Sequence, residues 1–124
     1  MSDNECVFCK IVKGEIPANK EYEDELVFAF RDIKPVAPVH VLIVPKKHIN
    51  NLVCASDEDV QVLGRIQIVA SRIAEDKKID KSFRLLTANG KAAGQSVFHL
   101  HYHLIGGWKN FSPEMEHKPG GLRE

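Results

Sequence analysis

The sequence predicts an α+β domain: an antiparallel five-stranded sheet with one long and one short helix. Three observations predict it. Short apolar runs rich in Val, Ile, Leu and Phe recur between turn-forming segments at hairpin-like spacing. One stretch, Leu63, Ile66, Ala70 and Ile73 flanked by Val62 and Val69, repeats apolar residues at helical intervals. The run Phe98-His99-Leu100-His101-Tyr102-His103-Leu104-Ile105 alternates strictly. As a strand it sets His99, His101 and His103 on one face and Phe98, Leu100, Tyr102 and Leu104 on the other.

Taken in order, Val7 to Lys13 forms a short helix that Gly14 ends and Pro17 prevents from continuing. Tyr22 and then Leu26 to Phe30 are short strands separated by the acidic turn Glu23-Asp24-Glu25. The segment 32–38 holds Pro35 and Pro38 and is a loop. His40 to Val44 is a β-branched central strand stopped by Pro45. Ser56-Asp57-Glu58-Asp59 starts the long helix: Ser56 accepts from the first amides and the acids complement the positive end. That helix runs to about Asp76. Phe83 to Thr87 is a strand, 89–94 a loop, and the histidine strand follows until Gly106-Gly107. The tail 108–124, with Pro113, Pro119 and Gly120-Gly121, reads as irregular.

With 124 residues the expectation is one domain, residues 1–124, with its core at about 6–107. The 17 basic residues balance 17 acidic ones, so bulk charge gives no reason to expect nucleic-acid or membrane binding. No apolar run is long enough to span a bilayer, and the polar start Met1 to Glu5 is not a signal peptide. Three cysteines do not make a disulfide framework; the expected setting is reducing and cytoplasmic.

The histidine run carries three readings. A structural role is the ordinary one for a single half-buried histidine, but three on one face would each incur desolvation if dry, and cheaper residues would serve if wet. A metal centre on the strand lacks a nearby carboxylate, since none follows before Glu114. Nucleophilic attack on phosphorus suits a neutral imidazole with a second ring or hydroxyl beside it and donors for the developing charge. Gly94-Gln95-Ser96, just upstream, offers a flexible backbone, an amide and a hydroxyl; Asn89 offers another amide, although Asn89-Gly90 alone reads as a turn.

The run from Gly94 to Gly107 resembles the signature of the histidine triad (HIT) family. Phe8 to Pro17, Phe30-Arg31-Asp32-Ile33-Lys34-Pro35 and Val44-Pro45-Lys46-Lys47-His48-Ile49 resemble family segments in the family's order. The chain is most similar to the small, purine nucleoside phosphoramidase-like branch. The uridylyltransferase branch has Gln where His103 stands here. The resemblance implies a nucleotide hydrolase that cleaves purine nucleoside phosphoramidates or acyl-nucleotides through a nucleotidyl-histidine intermediate. It implies His101 as nucleophile, His103 on the α-phosphate, His40 as a hydrogen-bond support, and Ser96 at the phosphate or leaving group. Asn89, Gly94, Gln95, Ser96 and Val97 would frame the phosphate side, and Asp32 would accept from ribose hydroxyls. Phe8, Ile11, Phe30, Ile33 and Leu42 would wall the base, with plain core packing the alternative for each.

Cys6-Val7-Phe8-Cys9 is ambiguous between redox and metal chemistry. Too few residues precede it for a thioredoxin-type strand. The resemblance implies a structural zinc site of Cys6, Cys9, His48 and His99, which takes the first triad histidine for metal; no cofactor is needed for the chemistry. Cys54 and His117 have no part in this scheme. A homodimer and an AMP- or GMP-type ligand are also implied. The alternative is a nucleotide-binding regulatory or scaffold protein with little catalysis.

Overall fold

The computed structural model describes residues 5–110 of the chain. The tail beyond, with His117, lies outside the described residues. The elements run α1 (Val7–Val12), β1 (Lys20–Glu23), β2 (Val27–Arg31), β3 (Val39–Pro45), α2 (Val60–Asp76), β4 (Phe83–Leu86) and β5 (Tyr102–Gly106). Three single 3-10 turns at Leu52–Cys54, Asp57–Asp59 and Lys91–Ala93 punctuate the loops. The strands form one sheet in the order β1-β2-β3-β5-β4, with every neighbouring pair antiparallel. The fold class read from the sequence is the one observed.

The sheet has two covered faces. On one, α2 lays Val62, Ile66, Val69, Ala70, Ile73 and Ala74 against Val27, Ala29, Val41, Ile43, Leu100, Tyr102 and Leu104. Each such Val, Leu or Ile side chain, fully buried, contributes about 1.5–3 kcal/mol. On the other face, α1 packs Phe8, Cys9 and Ile11 onto Phe28, Phe30, Leu42 and Val44. β2 and β3 therefore bury both their faces, which is why they read as continuous apolar runs.

The turn 23–25 is built by Asp24. Its Oδ1 accepts the amides of Leu26 (2.8 Å) and Val27 (2.9 Å), and its Oδ2 accepts Arg65 Nε (2.7 Å) and the Tyr22 hydroxyl (2.8 Å). Helix α2 ends without glycine. Lys78 takes the left-handed conformation at φ 61°, Ile79 N–H reaches Ala74 O (2.9 Å), and the Ile79 side chain drops into the core. Gly106 makes room for it: a Cβ there would stand 2.8 Å from Ile79 Cδ1.

Two expectations change. The α-helix proper starts at Val60, after a 3-10 turn over Asp57–Asp59 whose N-terminus is tied by Asp59 Oδ2 accepting the Ser56 amide (2.9 Å). The histidine strand is shorter than expected: ladder pairing covers Tyr102–Gly106 only, so His99 and His101 precede it. The ladder stops although β3 runs on through Val44 and Pro45: Leu100 N–H turns to Ile49 O (2.6 Å) and the chain bends over 97–99, so the stretch leaves the strand path before Tyr102.

Asp24 supplies a test of the fold. Burial alone would raise its pKa, but the bonds from Arg65, Val27, Leu26 and Tyr22 outweigh burial and hold the carboxyl well below its ordinary 3.8. A depressed carboxyl stabilises fully above its unfolded value and loses that contribution as pH falls through its folded value. Asp24→Asn should lower the melting temperature at neutral pH, and the gap to wild type should shrink as pH drops below 3.8.

Candidate active site and metal centre

Two clusters of polar side chains lie on the α1 side of the sheet, with His101 between them. The first cluster is Cys6, Cys9, His48 and His99, whose candidate ligand atoms all lie within 4.8 Å of one another. Cys6 caps α1, its sulfur accepting the Cys9 amide at 3.3 Å. His48 lies just past β3, and His99 just before β5. Cys6 Sγ is 3.3 Å from His99 Nδ1, Cys9 Sγ 3.2 Å from His48 Nδ1 and 3.5 Å from His99 Nδ1.

A tetrahedral zinc with ordinary bond lengths spaces its sulfur and nitrogen ligands by about 3.6 Å. The observed separations fit with little adjustment. The far nitrogens fit as well. His99 Nε2–H donates to Pro45 O (2.8 Å) and His48 Nε2–H to Asn50 Oδ1 (2.8 Å). Each bond puts the proton on Nε2 and leaves the Nδ1 lone pair facing the sulfurs, as a metal-binding imidazole requires. The family resemblance had implied these four residues as candidate ligands. It did not suggest Asn50 or the Pro45 carbonyl, for which only Asn50's place two residues after His48 was a signal.

The second cluster is Asp32, His40 and His103, all at least 97% buried. The antiparallel register puts His103 opposite Leu42 and His40 opposite Ile105, so both imidazoles share the α1 face of the sheet. Val36 N–H donates to His40 Nδ1 (3.2 Å), which places the His40 proton on Nε2. His40 Nε2–H then donates to His103 Nδ1 (2.9 Å), and the His103 proton must lie on Nε2. Asp32 Oδ2 stands 3.4 Å from His40 Nε2. Two buried atoms of this cluster have no hydrogen-bond partner: His103 Nε2, a donor, and Asp32 Oδ2, an acceptor. The same tautomer argues against a metal here, because His40 would have to give up its Nε2 proton while Nδ1 stays occupied by an amide.

His101 is 3% exposed. Its Nδ1–H donates to the His99 carbonyl (2.8 Å), which leaves the ring's lone pair on Nε2. Its ring meets His103 (centroids 5.1 Å) and Phe8 (5.0 Å), both edge to face. The Thr87 hydroxyl donates to the His101 carbonyl (2.8 Å), a contact the sequence reading missed.

The remaining expected residues divide. Gln95 is 2% exposed and its amide is committed: Oε1 accepts the Gly90 amide (2.8 Å), and Nε2 donates to Asn50 O (2.7 Å) and Val97 O (3.1 Å). With both donors used, the Gln95 side chain shapes the loop before the histidines. Asn89 likewise spends Oδ1 on the Leu52 amide (2.8 Å). Gly94 adopts φ +103°, Ser96 is exposed, and Val97 packs against the α1 cluster. Phe8, Ile11, Phe30 and Leu42 are core members of that cluster, whereas Ile33 is 86% exposed, so the structure does not bring all five together. Asp32 Oδ1 accepts the Lys34 amide (2.7 Å), leaving Oδ2 toward the imidazoles. Cys54 is an exposed thiol. No helix among the described residues is long and apolar enough to cross a membrane.

The row of buried histidines on the alternating run, His99, His101 and His103, defines a histidine-triad type of protein. Residues 13–110 match the HIT domain family, and the chain belongs to it. It is 44% identical over 115 residues to the purine nucleoside phosphoramidase of Escherichia coli K12, covering 92% of this chain and 96% of that one. The structure superposes on a HIT family hydrolase from Clostridium thermocellum with a TM-score of 0.83 at 51% identity, covering 87% and 95% of the two chains. A histidine triad nucleotide-binding protein from Candida albicans matches with a TM-score of 0.75 at 34% identity, covering 91% and 89%.

Burial pushes the His40 and His103 imidazoles below their ordinary 6.5; for His103 the neighbouring His101 and His40 rings add to the shift, and Asp32 opposes it at both. Both rings are therefore neutral in the fold near pH 7. The unfolded chain takes up these protons below 6.5, so stability falls as pH drops from there. Replacing His103 by Gln, which keeps a donor and cannot titrate, should flatten the melting-temperature profile between about pH 6.5 and pH 5.

Proposed function

We propose that the protein hydrolyses the phosphorus–nitrogen or mixed-anhydride bond of a purine nucleoside monophosphate derivative, by way of a nucleotidyl intermediate on His101. The observation that carries this reading is the pair of ring atoms at the centre of the site. His101 has its lone pair on Nε2, and His103 beside it holds a buried Nε2–H with no partner. A nucleophile next to a spare donor is what attack on a phosphoryl centre needs.

In the first step His101 Nε2 attacks the α-phosphorus and the bond to the leaving group breaks. The leaving amine or carboxylate departs on the solvent side, where the exposed Ser96 lies; an amine takes a proton from solvent water there as it leaves. His101 becomes a cation whose Nδ1–H stays on the His99 carbonyl, so charge forms against a fixed dipole. His103 Nε2–H donates to a non-bridging phosphate oxygen. In the second step water attacks phosphorus and releases a proton to solvent, the P–Nε2 bond breaks with its electron pair returning to His101 as the neutral ring, and nucleoside monophosphate leaves. Asp32 Oδ2, an acceptor only, suits a ribose hydroxyl.

Cys6, Cys9, His48 and His99 would hold zinc as a structural ion outside these steps. A homodimer is in keeping with the exposed Phe83 on the edge strand β4 and Ile68 on α2. A cytoplasmic setting is in keeping with three cysteines that form no disulfide.

His101→Ala should lower turnover of an adenosine phosphoramidate on the order of 10³-fold or more. Affinity for adenosine monophosphate, read by calorimetry, should change little. Retained turnover would refute the mechanism. A wild type that binds the nucleotide but never labels His101 in single-turnover mass spectrometry would favour a regulatory binding protein. Purified protein should carry about one zinc, and Asn50→Ala should weaken it roughly 10–100-fold in a chelator competition, by loosening His48.

A further inference from the structure

His101 sits on a stretch that the sheet does not hold. β5 begins at Tyr102, so residues 99–101 take no part in the ladder. Other contacts fix the stretch. Leu100 N–H bonds Ile49 O (2.6 Å), His99 Nε2–H bonds Pro45 O (2.8 Å), and the Thr87 hydroxyl bonds His101 O (2.8 Å). The other two come from α1. The sulfurs of Cys6 and Cys9 face His99 Nδ1, and the Phe8 ring, between them in sequence, packs edge to face on His101 (5.0 Å) and His99 (6.0 Å).

Helix α1 has six residues, far too few to persist on propensity alone. Cys6 at its N-cap and Cys9 in its first turn are its anchors. What holds those thiols therefore also holds Phe8. His99 is the second connection, since its side chain faces the thiols while its carbonyl accepts His101 Nδ1–H.

We propose that the Cys6–Cys9–His48–His99 centre positions the nucleophile as well as the fold, acting through the Phe8 ring and the His99 carbonyl. Phe8 and His99 are positioning residues. The inference rests on the reading of His101 as nucleophile. Two things must be right at that ring: its proton on Nδ1 and its plane facing the substrate. The His99 carbonyl sets the first, and the flat edge contact with Phe8 restrains the second. With either loosened, the ring samples the tautomer that carries hydrogen on Nε2, which has no lone pair to attack with. Misplacement by about an ångström at a reacting atom costs on the order of 10²-fold in rate.

The test compares zinc-loaded wild type, zinc-loaded Phe8→Leu and chelator-treated wild type. Three quantities are read: bound zinc, kcat and KM on an adenosine phosphoramidate, and the histidine ring signals in ¹H–¹⁵N correlation spectra at about pH 8, above the ordinary imidazole range. Phe8→Leu should keep its zinc and hold KM within about twofold while kcat falls on the order of 10- to 100-fold. The His101 signals should move toward a mixture of tautomers in both Phe8→Leu and the chelated protein. Unchanged kcat with unchanged His101 signals overturns the proposal. So does a raised KM at constant kcat, which makes Phe8 a wall of the base site. Should Phe8→Leu not fold, His48→Gln, at the half-buried ligand, replaces it. If zinc-loaded wild type itself shows no turnover, the proposed function fails, and the ring spectra alone decide this inference: His101 signals indifferent to both perturbations overturn it.

Discussion

The rest of the site depends on the register between β3 and β5. Leu42 faces His103 and His40 faces Ile105, which puts both imidazoles on the sheet face covered by α1. The other face is filled by Val41, Ile43, Leu100, Tyr102 and Leu104 under α2. A slip of one residue would drive His99, His101 and His103 into that apolar layer and bring Tyr102 and Leu104 out of it. The apolar half of the alternating run thus enforces the placement of the polar half. The packing under α2 and the chemistry under α1 are two sides of one strand.

Burying this many imidazoles is costly unless each has a fixed partner. The structure meets the cost separately for each ring. His99 uses Pro45 O and the two thiols, His101 uses the His99 carbonyl, His40 uses the Val36 amide, and His103 uses His40. Because those partners are a carbonyl, an amide and other rings, each fixes a tautomer as well as a position. Three chemically identical residues become a candidate metal ligand, a lone-pair bearer and a donor. Among the described residues, the ring with a buried nitrogen left over is that of His103, at the point where the proposed function needs a donor.

Much of this was legible in the sequence because it was written as periodicity. The β3 and β4 strands, α2 and the alternation of Leu100, Tyr102 and Leu104 against the histidines all follow from spacing. So did the pairing of Cys6 and Cys9 with two distant histidines, once the family resemblance was available. The less legible parts are those where backbone, not side chain, is the partner. Nothing in the sequence marks the Pro45 carbonyl, the Val36 amide or the His99 carbonyl as the atoms that set tautomers. The residue type of Gln95 gave no sign that its burial commits both amide hydrogens to Asn50 O and Val97 O. The Phe98 end of the strand misled because alternation persists past the point where the ladder stops, Leu100 N–H bonding Ile49 O in place of β3. The end of α2 at Asp76 was read in the right place, although Lys78 just beyond it takes a conformation usually left to glycine.

The central claim is that hydrogen bonds to the backbone and between rings give each histidine one defined proton position. Neutron diffraction from a deuterium-exchanged crystal of the unliganded protein reads those positions directly. The account predicts deuterium on Nδ1 of His101 and on Nε2 of His40, His99 and His103. Deuterium on Nε2 of His101, or on Nδ1 of His103, would contradict it.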